Sequence, residues 1–199
     1  MPGRDYSVEA RVEAGRAIDR LGVAAIQAGF PVVGEEHAEA VRRLAPVTDA
    51  DVTALARARP GDVDAAVDAG ADVVSLFATT SDVMLEHVFG TDREAVFGML
   101  EESVERAEDA GVPVRIGLMD GFRTDAEHVV EAAERFSGYT LGLADTIENA
   151  LQPLSGVVVG RGVGHLGEGR RGTRRVDGFV GVRLSFSHLH TYELREYYC

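Results

Sequence analysis

Gly70-Ala71-Asp72-Val73-Val74-Ser75-Leu76-Phe77 is a short, mostly apolar run opened by a glycine, and its reading decides the fold. Its length and its β-branched and aromatic content fit a strand, and near-continuous apolarity fits one covered on both faces. Downstream, residues 92–109 have a helical pattern. Val96, Leu100, Val104 and Ala107 recur on one face, Thr91 and Glu94 read as a capping box, and Gly111 ends the segment. A second apolar run covers residues 112–118, a helix is predicted over 124–136, and another strand over 139–143. Upstream the alternation is the same. Ser7 reads as the N-cap of a helix with Val8, Val12, Ile18 and Leu21 at helical spacing, Gly15 thinning that face and Gly22 as its stop. A strand over 23–26, a turn at Gly29-Phe30-Pro31, a helix over Glu35–Leu44, a strand over 52–55 and a helix from Pro60 to about Asp68 complete the series. Apolar strands separated by amphipathic helices predict a parallel sheet covered by helices, an α/β fold. Doubly wound sheets and (β/α)8 barrels both fit the period.

The chain has 199 residues, enough for one domain with a sizeable core, and 45% are hydrophobic, which excludes wholesale disorder. No apolar run is long enough to span a membrane, and Met1-Pro2-Gly3-Arg4-Asp5 has no secretory apolar segment. One cysteine, Cys199, excludes a disulfide framework and a multi-cysteine metal cage. The location expected from these signs is the cytoplasm. The net charge is -13, and all 20 basic residues are arginine. Such a surface repels nucleic acid unless a basic patch is segregated, and with no apolar run of membrane-spanning length neither nucleic acid nor membrane is expected as a partner. Acid excess without lysine fits a protein solvated by carboxylates in high salt.

Composition breaks near residue 158. Residues 1–158 hold 26 alanines and residues 159–199 none; the first stretch has 29 acids and 13 arginines, the second 4 acids and 7 arginines. The expected division is therefore a partial barrel domain over 1–158 and an irregular Gly/Arg-rich tail over 159–199. A flexible basic tail, a long insertion and a shifted reading frame all fit that tail, and the nucleotide sequence decides among them. Gly162-Val163-Gly164-His165-Leu166-Gly167 matches a dinucleotide-type glycine pattern, but no amphipathic helix follows it, so it predicts no nucleotide site.

Polar residues gather where the strands end: Gln27 and Phe30-Pro31, Thr79-Thr80-Ser81, Asp120 with Arg123-Thr124, and Asp145-Thr146. Each alone reads equally as a turn or cap residue. Their recurrence points to the ligand-binding edge of a parallel α/β fold. In order, Ala28-Gly29-Phe30-Pro31-Val32, Ser75-Leu76-Phe77-Ala78-Thr79-Thr80-Ser81-Asp82, Leu85-Glu86-His87, Met119-Asp120-Gly121-Phe122-Arg123-Thr124-Asp125 and Leu143-Ala144-Asp145-Thr146 form a ladder of motifs. With this ladder, residues 2–150 resemble the isopropylmalate, homocitrate and citramalate synthases, whose barrel is shared with hydroxymethylglutaryl-CoA lyase.

That resemblance implies a partial (β/α)8 TIM barrel with about five strands recognisable. It implies an acyltransferase of the Claisen type, in which acetyl-CoA, the co-substrate, condenses with a 2-oxo acid bound to a divalent metal such as Mg, Mn or Zn. A metal would polarise the keto oxygen and absorb alkoxide charge. By the same resemblance Thr146 matches the threonine that holds the substrate carboxylate. Arg123 and Asp120 match polar residues of the fourth-strand loop. Ser81 and His87 match the third-strand loop, where a structural role is at least as expected. His188-Leu189-His190 lies at the distance of the family's metal-binding His-x-His pair, and alternate strand residues share one face. The residues that follow, Thr191-Tyr192-Glu193-Leu194, depart from the family pattern. Further departures are Gln27 in place of Glu, Ser75 in place of His, Met119 in place of Glu and Glu148 in place of Gly. The family's first strand, with its catalytic Arg and metal-binding Asp, is expected ahead of Met1. Two further readings stand beside the condensing enzyme: a non-catalytic fragment or barrel-completing partner of a full-length synthase, and the lyase branch, whose late-loop cysteine Cys199 does not resemble. A complete relative is expected to be a homo-oligomer.

Overall fold

The computed structural model describes residues 6–144 and Thr146. The tail, the 158 boundary, His188 and His190 lie outside the described residues. In chain order come α1 (Val8–Asp19), β1 (Ala25–Gly29), a 3-10 turn (Pro31–Val33), α2 (Glu35–Leu44), β2 (Asp51–Arg57), α3 (Pro60–Asp68) and β3 (Val73–Thr79). A short α4 (Asp82–Met84) then runs into a π-helical turn (Leu85–Phe89), followed by α5 (Arg93–Asp109), β4 (Val114–Met119), α6 (Ala126–Arg135) and β5 (Thr140–Leu143). The strands form one five-stranded sheet in the order β1-β2-β3-β4-β5. β1 pairs parallel with β2, with Ala25 opposite Asp51, and β2 pairs parallel with β3, with Thr53 opposite Val73 and Arg57 opposite Phe77. Sequential parallel neighbours joined by helices are the pattern of a partial TIM barrel.

The described residues fall into two compact units. One holds the chain up to Phe77 together with Gly98–Arg115; the other holds Ala78–Phe97 and the chain from Ile116. In the first unit, strand alternation sends Val52, Ala54, Ala56, Val74 and Leu76 to a fully buried layer. α2 packs on β1 and β2, α3 on β2, and α1 on α2. Leu44, Val41, Val63, Ala66, Leu100, Val104 and Ala107 fill the helical side of the core. Gly15 is the contact point of α1 rather than a thin spot, because a Cβ there would meet Leu44 Cδ2 at 2.7 Å. That close approach explains a correction. Ile18 and Leu21, expected on the inner face, are exposed, Leu21 at 78%, and α1 buries only Val12 and Gly15. Ser7 does cap the helix, its Oγ accepting from the Ala10 amide at 3.2 Å.

In the second unit the capping box at α5 gives way to a different arrangement. Asp92 Oδ1 accepts the Ala95 amide at 2.8 Å, so Asp92 is the cap. Glu94 instead takes a two-pronged contact from Arg135, at 2.8 Å for each nitrogen, which holds its carboxyl below the usual range. The Arg135 guanidinium lies 5.0 Å over the Phe97 ring, and Phe97 packs against Phe136 at 6.0 Å. No helix among the described residues is long and apolar enough to cross a membrane.

Candidate functional site

The ends of β3 and β4 are knitted by side chains. Thr79 Oγ1 donates to the Met119 carbonyl at 3.0 Å and accepts the Ser81 amide at 3.1 Å. Ser81 Oγ donates to Asp120 Oδ2 at 2.6 Å. Arg123 grips the same carboxylate with Nε on Oδ1 at 2.6 Å and Nη2 on Oδ2 at 2.8 Å. The Asp120 amide donates to Thr146 Oγ1 at 2.8 Å, and Thr124 Oγ1 donates to the Asp120 carbonyl at 3.0 Å. Four sequence-predicted site residues, Ser81, Asp120, Arg123 and Thr146, therefore meet in one cluster. Asp120 is its centre and is 1% exposed, while the Arg123 side chain is 33% exposed. Asp120 is also the one described non-glycine residue with a positive φ, 58°. Such a backbone costs energy and persists only where its surroundings hold it, as these contacts do. The paired carboxylate raises the affinity of the Arg123 guanidinium for its proton, so Arg123 stays charged. Thr80 Oγ1 is buried beside this cluster in sequence and has no hydrogen-bond partner. His87 stands apart, with an exposed side chain 3.9 Å from Glu86.

A second group of donors was not legible in sequence. Asp82, Asp125 and His128 each bring one ligand atom to within 4.8 Å of the others. Asp125 occupies the N-cap position of α6 without using its side chain as a cap. Glu127 and Glu131 lie 3.8 Å from the two ring nitrogens of His128. Arg93 takes one oxygen of Asp82 and also donates to the Thr80 carbonyl. Two carboxylates and an imidazole suit a divalent cation chemically. The sequence hid this trio because Asp82, at the start of α4, is far in sequence from Asp125 and His128, at the start of α6.

In the first unit, Phe30 is buried edge-on against Phe77 at 5.6 Å, and the Arg57 guanidinium lies 5.6 Å from its ring. Arg57 is held by buried Asp62, which accepts its Nε at 2.6 Å, its Nη2 at 3.0 Å and its amide at 3.1 Å. Gln27 is exposed. Ser75 accepts Arg115 Nε at 3.0 Å, and Thr53 Oγ1 lies 3.5 Å from Arg115 Nη2. An arginine inside an apolar strand run was a visible anomaly that the sequence reading passed over.

A five-stranded, helix-covered parallel sheet with a carboxylate–arginine–hydroxyl cluster at its strand ends defines an α/β protein of the barrel class with a polar site in its loops. Residues 1–155 match the family model described as HMGL-like, and the chain belongs to that family. It is 43% identical over 131 residues to a probable 2-isopropylmalate synthase of Methanopyrus kandleri, covering 65% of this chain and 26% of that protein. It is 39% identical over 150 residues to a homocitrate synthase of the same organism, covering 73% of this chain and 38% of that protein. The chain thus spans well under half the length of these relatives. Among solved structures, the HMG-CoA lyase of Bacillus subtilis is similar in fold, with a TM-score of 0.63 and 18% identity over 71% of this chain and 52% of that one. An Acinetobacter baumannii HMG-CoA lyase, solved with coenzyme A and 3-methylmalate, gives 0.58 and 17% over 70% and 50%.

Proposed function

We propose that the chain carries the 2-oxo acid-binding loops of a condensing synthase, which joins acetyl-CoA to a 2-oxo acid. The observation that supports this reading is the buried Asp120, which orients Thr146 and a charged Arg123 at the strand ends. In the reaction, the acetyl methyl loses a proton, its carbon bonds to the keto carbon, the keto oxygen takes up a proton, and hydrolysis of the thioester frees CoA. This chain's residues serve the first requirement, a fixed oxo acid. The Thr146 hydroxyl and the Arg123 guanidinium offer hydrogen bonds and positive charge to its carboxylate. A divalent metal, when bound, would supply Lewis acidity at the keto oxygen. Among the described residues Asp82, Asp125 and His128 have the donor chemistry to hold Mg, Mn or Zn, and His188 and His190 lie outside them. Cytoplasmic location and homo-oligomerisation of a complete relative belong to the same reading.

The departures at Gln27, Ser75 and Met119 support weak or absent turnover by this polypeptide alone. The test is release of free CoA from acetyl-CoA with pyruvate, 2-oxoisovalerate or 2-oxoglutarate, each with Mg, Mn or Zn. Release with one oxo acid supports an active synthase and identifies its substrate. No release, together with co-purification of a full-length synthase, supports the barrel-completing partner instead.

A further inference from the structure

Both oxygens of the Asp120 carboxylate are engaged by Ser81 and Arg123, and the residue is 1% exposed. Buried and held by these three contacts, it has no access to a ligand. We propose that Asp120 is a positioning residue, acting through Thr146 and Arg123 to make both of them hydrogen-bond donors toward a substrate carboxylate. This rests on the reading of the cluster as an oxo acid site. A threonine hydroxyl both donates and accepts. Because the Asp120 amide donates to Thr146 Oγ1, the hydroxyl proton cannot point back at it and is left to donate elsewhere. The left-handed backbone at Asp120, φ 58°, accompanies this placement of the amide at Thr146 and the carboxylate at Arg123. A guanidinium carries five N–H donors and no acceptor. Asp120 takes two of them, on Nε and Nη2, and the remaining ones stay on a side chain that is one-third exposed. What Asp120 organises is therefore a set of donors with a positive charge. An acceptor-only anion satisfies such a set, whereas a carboxamide brings N–H groups that find no acceptor.

The experiment compares pyruvate with pyruvamide, titrated calorimetrically into the full chain. The wild-type protein is expected to prefer pyruvate by on the order of tenfold. Asp120→Asn tolerates the left-handed backbone and keeps the amide, so the Thr146 contact survives, but it removes the charge that fixes Arg123. Its expected effect is a preference reduced several-fold, with pyruvamide affinity nearly unchanged. Asp120→Gly accepts the backbone without strain, and the same split is expected there, with thermal melting as the check on folding. Thr146→Val is expected to lose affinity for pyruvate more than for pyruvamide. A merely structural Asp120 would weaken both ligands together, and that result overturns the proposal. So does a wild-type chain that binds no pyruvate or does not distinguish the two ligands. CoA release is scored separately. An intact acid-over-amide preference without CoA release leaves Asp120 its role and removes the condensation reading. CoA release with parallel losses in the variants does the reverse.

Discussion

Gly29 shows how much one residue can carry. A Cβ there would lie 2.7 Å from the backbone oxygen of His37, an atom that cannot swing aside as a side-chain tip can. The glycine of Ala28-Gly29-Phe30-Pro31 is therefore required by the approach of α2 to the end of β1. Gly29→Ala is expected to destabilise the fold by about 1–3 kcal/mol, read as a drop in urea midpoint. Asp62 is equally exacting. It is 3% exposed, and its carboxylate is the ion-pair partner of Arg57. Removing one partner of such a pair leaves a poorly compensated charge, so Asp62→Ala is expected to cost about 3–5 kcal/mol by the same measurement. Asp51 has the opposite sign. Burial first, and the neighbouring Asp72 carboxylate second, push its pKa above the ordinary carboxylate value of 3.8. A raised folded pKa means that the protonated form is the one favoured in the fold. The contribution is present below the unfolded pKa and is lost as pH rises through the folded one. Asp51→Asn is thus expected to stabilise the chain at pH 7, by less than about 1 kcal/mol, with the gain disappearing as pH falls below 4. Denaturation midpoints across that range check it.

At the scale of elements, the α5 start separates two caps. Asp92→Ala is expected to cost about 1 kcal/mol and Thr91→Ala close to nothing, read from thermal or urea unfolding, because the Asp92 side chain holds the Ala95 amide. The sequence made every one of the five strands and five longer helices visible, and one helix, Glu35–Leu44, has the expected bounds to the residue. Four of the strands run further than their apolar stretches suggest. The apolar stretches stop at Leu55 and Phe77, for instance, whereas β2 and β3 run to Arg57 and Thr79. Apolar runs stop where polar side chains begin, yet backbone pairing continues through those polar ends, as Arg57 opposite Phe77 shows. The same ends carry the site, so the boundary error and the functional signal share one cause. The π-helical turn over Leu85–Phe89 left no periodic trace, being shorter than any pattern window. Of the cluster, Ser81, Asp120, Arg123 and Thr146 were legible because their motifs stand in order. The trio Asp82, Asp125 and His128 was not, because only folding brings the start of α4 to the start of α6.

Over the whole molecule, the net charge of -13 sets the conditions in which the chain is content. Like charges repel in the compact state, and salt screens them. The denaturation midpoint is expected to climb between low and molar NaCl, and a flat response would count against carboxylate solvation as an adaptation. The exposed ion pairs, such as Arg106 with Asp64 and Arg42 with Glu39, are expected to contribute little in that medium. The left-handed turn at Asp120 has a bearing on how the molecule ages. Asp120 precedes Gly121, and an Asp-Gly bond is the kind that cyclises to a succinimide when the glycine nitrogen reaches the side-chain carbon. Here the Gly121 amide is committed to the Ala144 carbonyl at 3.0 Å, and the carboxylate is clamped. The native chain should accumulate isoaspartate at this bond far more slowly than the same chain stored in urea, as peptide mapping of aged samples would reveal.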